Sequence, residues 1–201
     1  MALSRRRLLE RMVAPAWNRR LIVEPFFRKD IDLDSPSPSL DFHLGNRFSV
    51  LRRRRATQHN PLPLDGQKDV APTELFIPLG KDFFLHPGQI VLGTTLEWFR
   101  FPTDLMAYVV GRSIWGRRGL LIVTASAVHP GSAGTITLEL CNMGEVAVVL
   151  RPGVALGQLF FHEVGVEEFE PDDRRSTFSG STKPILGEYI PSKVEKFLLG
   201  I

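Results

Sequence analysis

From Glu74 onward the apolar residues of this chain arrive in short runs: Leu75-Phe76-Ile77, Phe83-Phe84-Leu85, Ile90-Val91-Leu92-Gly93 and Leu105-Met106-Ala107-Tyr108-Val109-Val110. Pro, Gly or Asp separates each from the next. Val146-Ala147-Val148-Val149-Leu150 and Leu156-Gly157-Gln158-Leu159-Phe160-Phe161 follow, joined through the turn Arg151-Pro152-Gly153. Many short strands with turn residues between them are the mark of a compact β-barrel or sandwich. The 17 Gly and 15 Pro supply that punctuation, and 14 Phe among many Val, Ile and Leu supply the core. With 43% hydrophobic and 23% charged residues, residues 1–201 read as one mainly β globular domain with small additions.

Three additions stand out. Within residues 1–20, Ser4 can cap a short helix that carries Leu8, Leu9 and Met12 at helical spacing and stops before Pro15. Residues 20–23 then read as a strand, and Leu40-Asp41-Phe42-His43-Leu44 alternates as a second, which Gly45-Asn46 turns back into Arg47-Phe48-Ser49-Val50-Leu51. Residues 52–72 read as a loop insertion; the Arg52-Arg53-Arg54-Arg55 run lacks interleaved aromatics and precedes Asn60-Pro61-Leu62-Pro63, so it reads as a solvated loop tip. Residues 167–201 are polar and rich in Ser, Thr and Gly up to Val194, and read as a covering segment.

Charge and cysteine content narrow the chemistry. The 25 basic residues face 22 acidic ones, and a net charge of +3 fits an anionic ligand without demanding nucleic acid. The single Cys141 excludes an intrachain disulfide framework and any multi-cysteine metal site. No apolar run is long enough to span a bilayer, and the first twelve residues lack the apolar centre of a secretory signal, so a cytoplasmic protein without membrane partners is expected.

The stretch GRSIWGRRGLLIVTASAVHPGSAGTITLE, residues 111–139, gathers the chemistry. Gly111, Arg112 and Ser113 join a flexible backbone, a guanidinium fork and a hydroxyl, and Arg117 adds a second fork. These are donors suited to a polyphosphate, although a solvated turn has the same composition. At the other end, residues 135–140 alternate polar and apolar, which places Glu139 on the face opposite Ile136, Leu138 and Leu140. Glu139 can look into a ligand site from there, or form a surface salt bridge.

The order of several short motifs resembles the dCTP deaminase branch of the dUTPase-like superfamily. They are Glu24-Pro25-Phe26, residues 40–48, Leu85-His86-Pro87-Gly88, Gly111-Arg112-Ser113 with Arg117 and Gly119-Leu120, Pro130-Gly131 with Gly134, Leu138-Glu139, Asn142, Gly144, and Arg151-Pro152-Gly153 with Gln158-Leu159. The resemblance spans residues 3–161. It implies a distorted jelly-roll or barrel of the dUTPase-like type, assembled as a homotrimer with active sites between subunits. It further implies a nucleoside triphosphate substrate carried with Mg²⁺, with phosphates on the 111–113 segment, Arg117 assisting the chemistry and Glu139 activating water. The implied reaction converts dCTP to dUTP and ammonia; some members also cleave dUTP to dUMP and pyrophosphate. The substrate-binding set carried over comprises Arg112, Ser113, Ile114, Arg117, Ala125, His129, Ser132, Thr137, Leu138 and Gln158, with Phe178, Ser181 and Lys183 from the covering segment.

The residues support such chemistry in their own right. Many nucleobase deaminases hold zinc through a His or Cys and a later Cys-x-x-Cys pair. One cysteine, and five histidines with no ligand pair at helical spacing, leave no such signature, so deamination here would run on a carboxylate, with Glu139 as proton carrier and an arginine stabilising developing charge. Departures from the family pattern cluster at the sugar. His129 stands where an aspartate usually meets the 3′-hydroxyl, and Ser132 where an aromatic usually packs beneath the deoxyribose. Ala127 replaces a frequent arginine, and Ile114 a second serine. A cytidine nucleotide deaminase with altered sugar preference is therefore the leading expectation; a dUTP pyrophosphatase and a non-catalytic nucleotide-binding trimer are the alternatives.

Overall fold

The computed structural model describes residues 2–27, 37–51, 72–165, 180–187 and 192–199. Twelve strands run in order: β1 (Ile22–Glu24), β2 (Ser39–His43), β3 (Arg47–Leu51), β4 (Pro72–Phe76), β5 (Phe83–Leu85), β6 (Ile90–Arg100), β7 (Leu105–Gly111), β8 (Leu120–Ile122), β9 (Ala127–Val128), β10 (Ala133–Asn142), β11 (Val148–Leu150) and β12 (Ala155–Glu163). Helices α1 (Arg5–Met12), α2 (Ser113–Gly116) and α3 (Lys193–Leu199) and a short 3-10 turn at Trp17–Arg19 are the helical elements of the described residues. The Arg52–Arg55 run, most of the expected insertion and Phe178 lie outside the described residues. Pro72 itself opens β4.

One sheet has the order β4-β3-β6-β10-β8, with β1 also on β6; a second has the order β2-β12-β7-β9; β11 and β5 form a pair. All of the strand pairs are antiparallel. Neither larger sheet closes on itself among the described residues, so the mainly β expectation holds in the form of open sheets rather than a closed barrel. Phe48, Phe99, Leu138 and Leu140 of the first sheet and Phe42, Leu105, Leu159 and Phe161 of the second share one buried core. Fully burying each such side chain contributes about 1.5–3 kcal/mol.

Residues 40–51 correct the sequence reading. Gly45-Asn46 does not close a hairpin, because β2 pairs with β12 while β3 pairs with β4 and β6. The chain steps from one sheet to the other instead. A buried carboxylate ties the two sheets at that step: Glu97 of β6, 2% exposed, accepts from the His43 backbone N–H at 3.0 Å and lies 2.5 Å from its Nδ1. A carboxylate so deeply buried needs such partners to offset its lost hydration.

The N-terminal helix forms as its sequence indicates. Ser4 accepts from the Arg7 N–H at 3.4 Å, and Leu8 is buried. Leu3 N–H donates to the Phe161 carbonyl at 2.9 Å, and Arg11 pairs with Asp104, so the helix is fixed to the second sheet.

Strand β10 crosses the first sheet and sets the geometry around Glu139. Leu138, Leu140 and Asn142 are buried, and Thr137 and Glu139 alternate with them on the other face. The register with β6 shifts between Thr135 and Thr137. Ile136 N–H donates there to Thr95 Oγ1 at 2.9 Å instead of to the ladder. The bulge breaks the simple alternation, so Ile136 borders the same cavity as Thr137 and Glu139 rather than lying wholly opposite them.

At the end of β10, Asn142 is fully buried and fully bonded. Its Nδ2 donates to the Leu85 and Val146 carbonyls, both at 2.8 Å, and its Oδ1 accepts from Gly144 N–H at 2.9 Å. Met143 N–H donates to the Gly119 carbonyl at 2.8 Å. Gly119 has φ of 84°, and a Cβ on it would come within 2.7 Å of Gly144 N, so this close approach requires glycine. Asn142→Ala leaves two carbonyls and one N–H without partners; an equilibrium urea titration is expected to show a loss of at least about 2 kcal/mol.

Candidate active site

Glu139 opens onto a cavity of about 230 Å³. Its backbone is held on the β8 side: its N–H donates to Thr124 Oγ1 at 2.8 Å, and its carbonyl accepts from Val123 N–H at 2.9 Å. The side chain is half-buried, and no ion pair to it occurs among the described residues, unlike the surface salt bridge that its strand position also allowed. Thr137 lines the cavity beside it.

The rest of the wall comes from the segment before β10. Ala125 and Ala127 line it near Thr124, and His129 and Ser132 line it at the turn that leads into β10. That turn is closed by Ser132 N–H donating to the His129 carbonyl at 3.2 Å, and Phe101 N–H donates to the Ser132 carbonyl at 2.8 Å. Phe99 and Phe101, almost fully buried, form the floor there. Ala125, His129, Ser132, Thr137 and Glu139 of the expected site thus share one cavity. Leu138 faces the core, which leaves it only its backbone to contribute.

The phosphate-type segment lies apart from that cavity. Arg112 N–H donates to the Leu156 carbonyl at 3.0 Å, and Trp115 Nε1 donates to the Ala155 carbonyl at 2.9 Å, which fastens α2 to the start of β12. Ser113, Ile114 and Arg117 remain exposed, and Arg112 sits 3.6 Å from Asp41. Gln158 is registered opposite Asp41 on the neighbouring strand and accepts from Ser39 Oγ at 2.5 Å, so it belongs to this second surface. None of these residues lines the Glu139 cavity.

Of the covering segment, Ser181 and Lys183 are described. Lys183 Nζ pairs with Glu74 of β4 at 2.9 Å, and Ser181 lies beside Gly134. Sequence reasoning did not single out Thr124, Phe99, Phe101, Ile185 or Leu186 as parts of the cavity. The signal for the last two was an apolar pair between Pro184 and Gly187 in a mostly polar stretch rich in Ser, Thr and Gly. Two absences are confined to the described residues: no group of three or more His, Cys, Asp or Glu is placed to hold a metal, and no helix is long and apolar enough to cross a membrane.

Known proteins place this geometry in context. The chain is 43% identical over 145 residues to a dCTP deaminase of Halorubrum lacusprofundi, covering 72% of this chain and 70% of that one. It is 38% identical over 167 residues to a "dCTP deaminase, dUMP-forming" of Halobacterium salinarum, covering 82% and 84%. Among solved structures, it shares the fold of the 2′-deoxycytidine 5′-triphosphate deaminase of Agrobacterium tumefaciens, with a TM-score of 0.55 at 22% identity. That match covers 82% of this chain but only about half, 48%, of the other. A family model described as dCTP deaminase-like matches residues 2–164, which hold both the Glu139 cavity and the Arg112–Arg117 surface, and the chain belongs to this family of enzymes.

Proposed function

We propose that the protein deaminates dCTP to dUTP and ammonia, with Glu139 as the proton carrier and without zinc. The observation that carries this reading is Glu139 on the wall of a cavity it shares with Ala125, Thr137, His129 and Ser132, with no cation paired to it among the described residues. In the reaction, the Glu139 carboxylate takes a proton from water as the oxygen adds to C4 of the ring. That proton passes to N3, the proton of the new C4 hydroxyl is carried to the amino group, which leaves as ammonia, and a C4 carbonyl remains. Arg117 stabilises the charge that develops, and Arg112 and Ser113 grip the triphosphate, which brings its own Mg²⁺.

One chain does not assemble these groups, because the cavity lining contains none of Arg112, Ser113 or Arg117. A homotrimer with sites between subunits brings a neighbour's phosphate segment to each Glu139. Apolar side chains at the surface support such an assembly: the exposed Ile90 and Leu121 flank the half-buried Cys141 in register across β6, β10 and β8, with the exposed Met143 beyond them. Association in water would bury that row. Ser181, Lys183 and Phe178 would cover the bound triphosphate, and Gln158 would support the Arg112 surface. On this reading the enzyme works in the cytoplasm, where nucleoside triphosphates are met.

The dUMP-forming relative motivates a second reading, in which dUTP is also cleaved to dUMP and pyrophosphate. At the sugar, Ser132 leaves room and offers a hydroxyl, which favours tolerance of a ribose 2′-hydroxyl.

With Mg²⁺ and dCTP, the purified protein is expected to release ammonia, and Glu139→Gln to lower kcat by about 10²–10⁴-fold. Pyrophosphate without ammonia would instead make it a pyrophosphatase, and nucleotide binding without either product a binding protein. CTP is expected to be deaminated as well, and Ser132→Phe to raise the preference for dCTP over CTP by about tenfold; equal exclusion of CTP by the unaltered enzyme would refute the relaxed sugar choice. Coexpressed Glu139→Gln and Arg117→Ala chains, each inactive alone, are expected to regain roughly a quarter of full activity, since random mixing in a cyclic assembly pairs an intact Glu139 with an intact neighbouring Arg117 at that frequency. No recovery would place both groups in the same chain.

A further inference from the structure

Residues 180–187 are held against β10 by contacts along their length. Gly180 N–H donates to the Ala133 carbonyl at 2.6 Å, and Thr135 N–H donates to the Ser181 carbonyl at 2.9 Å, giving a parallel bridge between Gly134 and Ser181. Ser181 Oγ accepts from Lys183 N–H at 3.1 Å and donates to the Lys183 carbonyl at 2.8 Å, while Lys183 Nζ reaches Glu74. Ile185 N–H then donates to Thr137 Oγ1 at 3.4 Å. Gly134 is built for this contact. Its φ is 132°, and a Cβ there would stand 2.8 Å from the Ser181 carbonyl oxygen.

The consequence is that Ile185 and Leu186 line the Glu139 cavity. Leu186 is 44% exposed, so it closes the cavity only in part. Ile185 is fixed at Thr137, two positions from Glu139 on the same face of β10. His129 and Ser132 lie at the far end, beyond Gly134.

The geometry points to Ile185, with Leu186, as a substrate-positioning wall for the pyrimidine ring, supplied by the same chain that supplies Glu139. This rests on the deaminase reading, since C4 must lie beside Glu139 for water to reach it. The ring is therefore next to Thr137, and the sugar extends toward His129 and Ser132. A pyrimidine is polar at its edge and weakly hydrated on its faces, so a branched apolar side chain suits a face while Glu139 serves the edge. The same wall shields one side of the cavity from bulk water and strengthens the polar contacts beside it.

Calorimetric binding of dCTP and of inorganic tripolyphosphate, each with Mg²⁺, to the full chain carrying Glu139→Gln tests this without turnover. Adding Ile185→Ser is expected to weaken dCTP binding by about tenfold and to leave tripolyphosphate within about twofold, because only the nucleoside meets the wall. Ile185→Val should retain the affinity of the parent, and Gly134→Ala, which undocks Ser181 and Lys183 together with Ile185, should weaken dCTP binding at least as much. Unchanged dCTP affinity in Ile185→Ser would overturn the wall and leave the deaminase reading intact. Equal losses for both ligands would overturn it too, as they would reflect damage to the fold or assembly. If dCTP binds the parent no more tightly than tripolyphosphate, no nucleoside occupies this cavity, and the wall and the deaminase reading fall together.

Discussion

The pairing of β6 with β10 is the constraint on which the site depends. It runs from Ala133 opposite Arg100 to Cys141 opposite Ile90, with a shift between Thr135 and Thr137. A regular ladder would turn alternate residues uniformly toward core and cavity. The shift lets Thr135, Ile136 and Thr137 all border the cavity while Leu138 and Leu140 still fill the core. The bulge is stabilised by a buried hydroxyl: Thr95 Oγ1 accepts from Ile136 N–H and donates to the Glu97 carbonyl at 2.8 Å, so the N–H freed by the shift is not left unpaired.

The same stretch of β6 joins the two sheets. Two residues beyond Thr95, Glu97 receives His43 from β2, so the bulge that shapes the cavity and the carboxylate that ties the sheets are adjacent on one strand. The second sheet carries the Arg112 surface through β12, where Ala155 and Leu156 fasten α2. The Glu139 cavity and the Arg112 surface are thus set by two sheets that share one core, yet open separately. On the deaminase reading proposed above, use of both in one site would take a second copy of the chain, and association would cover the apolar row on β6, β10 and β8.

Much of this was legible in the sequence where local chemistry decides the outcome. Ser4 before Leu8 and Leu9 gave a capped helix, and period-2 alternation marked Leu138 and Glu139 as facing opposite ways. Ordered short motifs indicated the family and gathered His129, Ser132, Thr137 and Glu139 into one expected site. What escaped depends on partners distant in sequence. The Thr135–Thr137 shift is decided by a hydroxyl on another strand, and Gly45-Asn46 looks like a hairpin turn until β12 competes for β2. Glu97 has no local sign of its partner, 54 residues away. Ile185 and Leu186 sit in a polar tail, and their place is set by a glycine about fifty residues earlier.

That tail bears on how the site handles its ligand. A covering segment that orders only on binding loses conformational freedom at that moment, roughly 1–2 kcal/mol of backbone entropy per residue fixed. Residues 180–187 are docked on β10 and β4 by protein contacts of their own: a bridge at Gly134, an ion pair at Glu74 and a bond at Thr137. If Ile185 and Leu186 meet the ring as proposed, that part of the tail is preorganised within its own chain. Strengthening those contacts would then tighten nucleoside binding without adding any contact to the nucleoside. The Lys183–Glu74 pair is a specific case: both partners are more than half exposed, so salt screens it. Nucleoside affinity should then weaken with ionic strength through the docking of the tail as well as through the phosphates, and that added dependence should vanish in Glu74→Gln while the phosphate part remains.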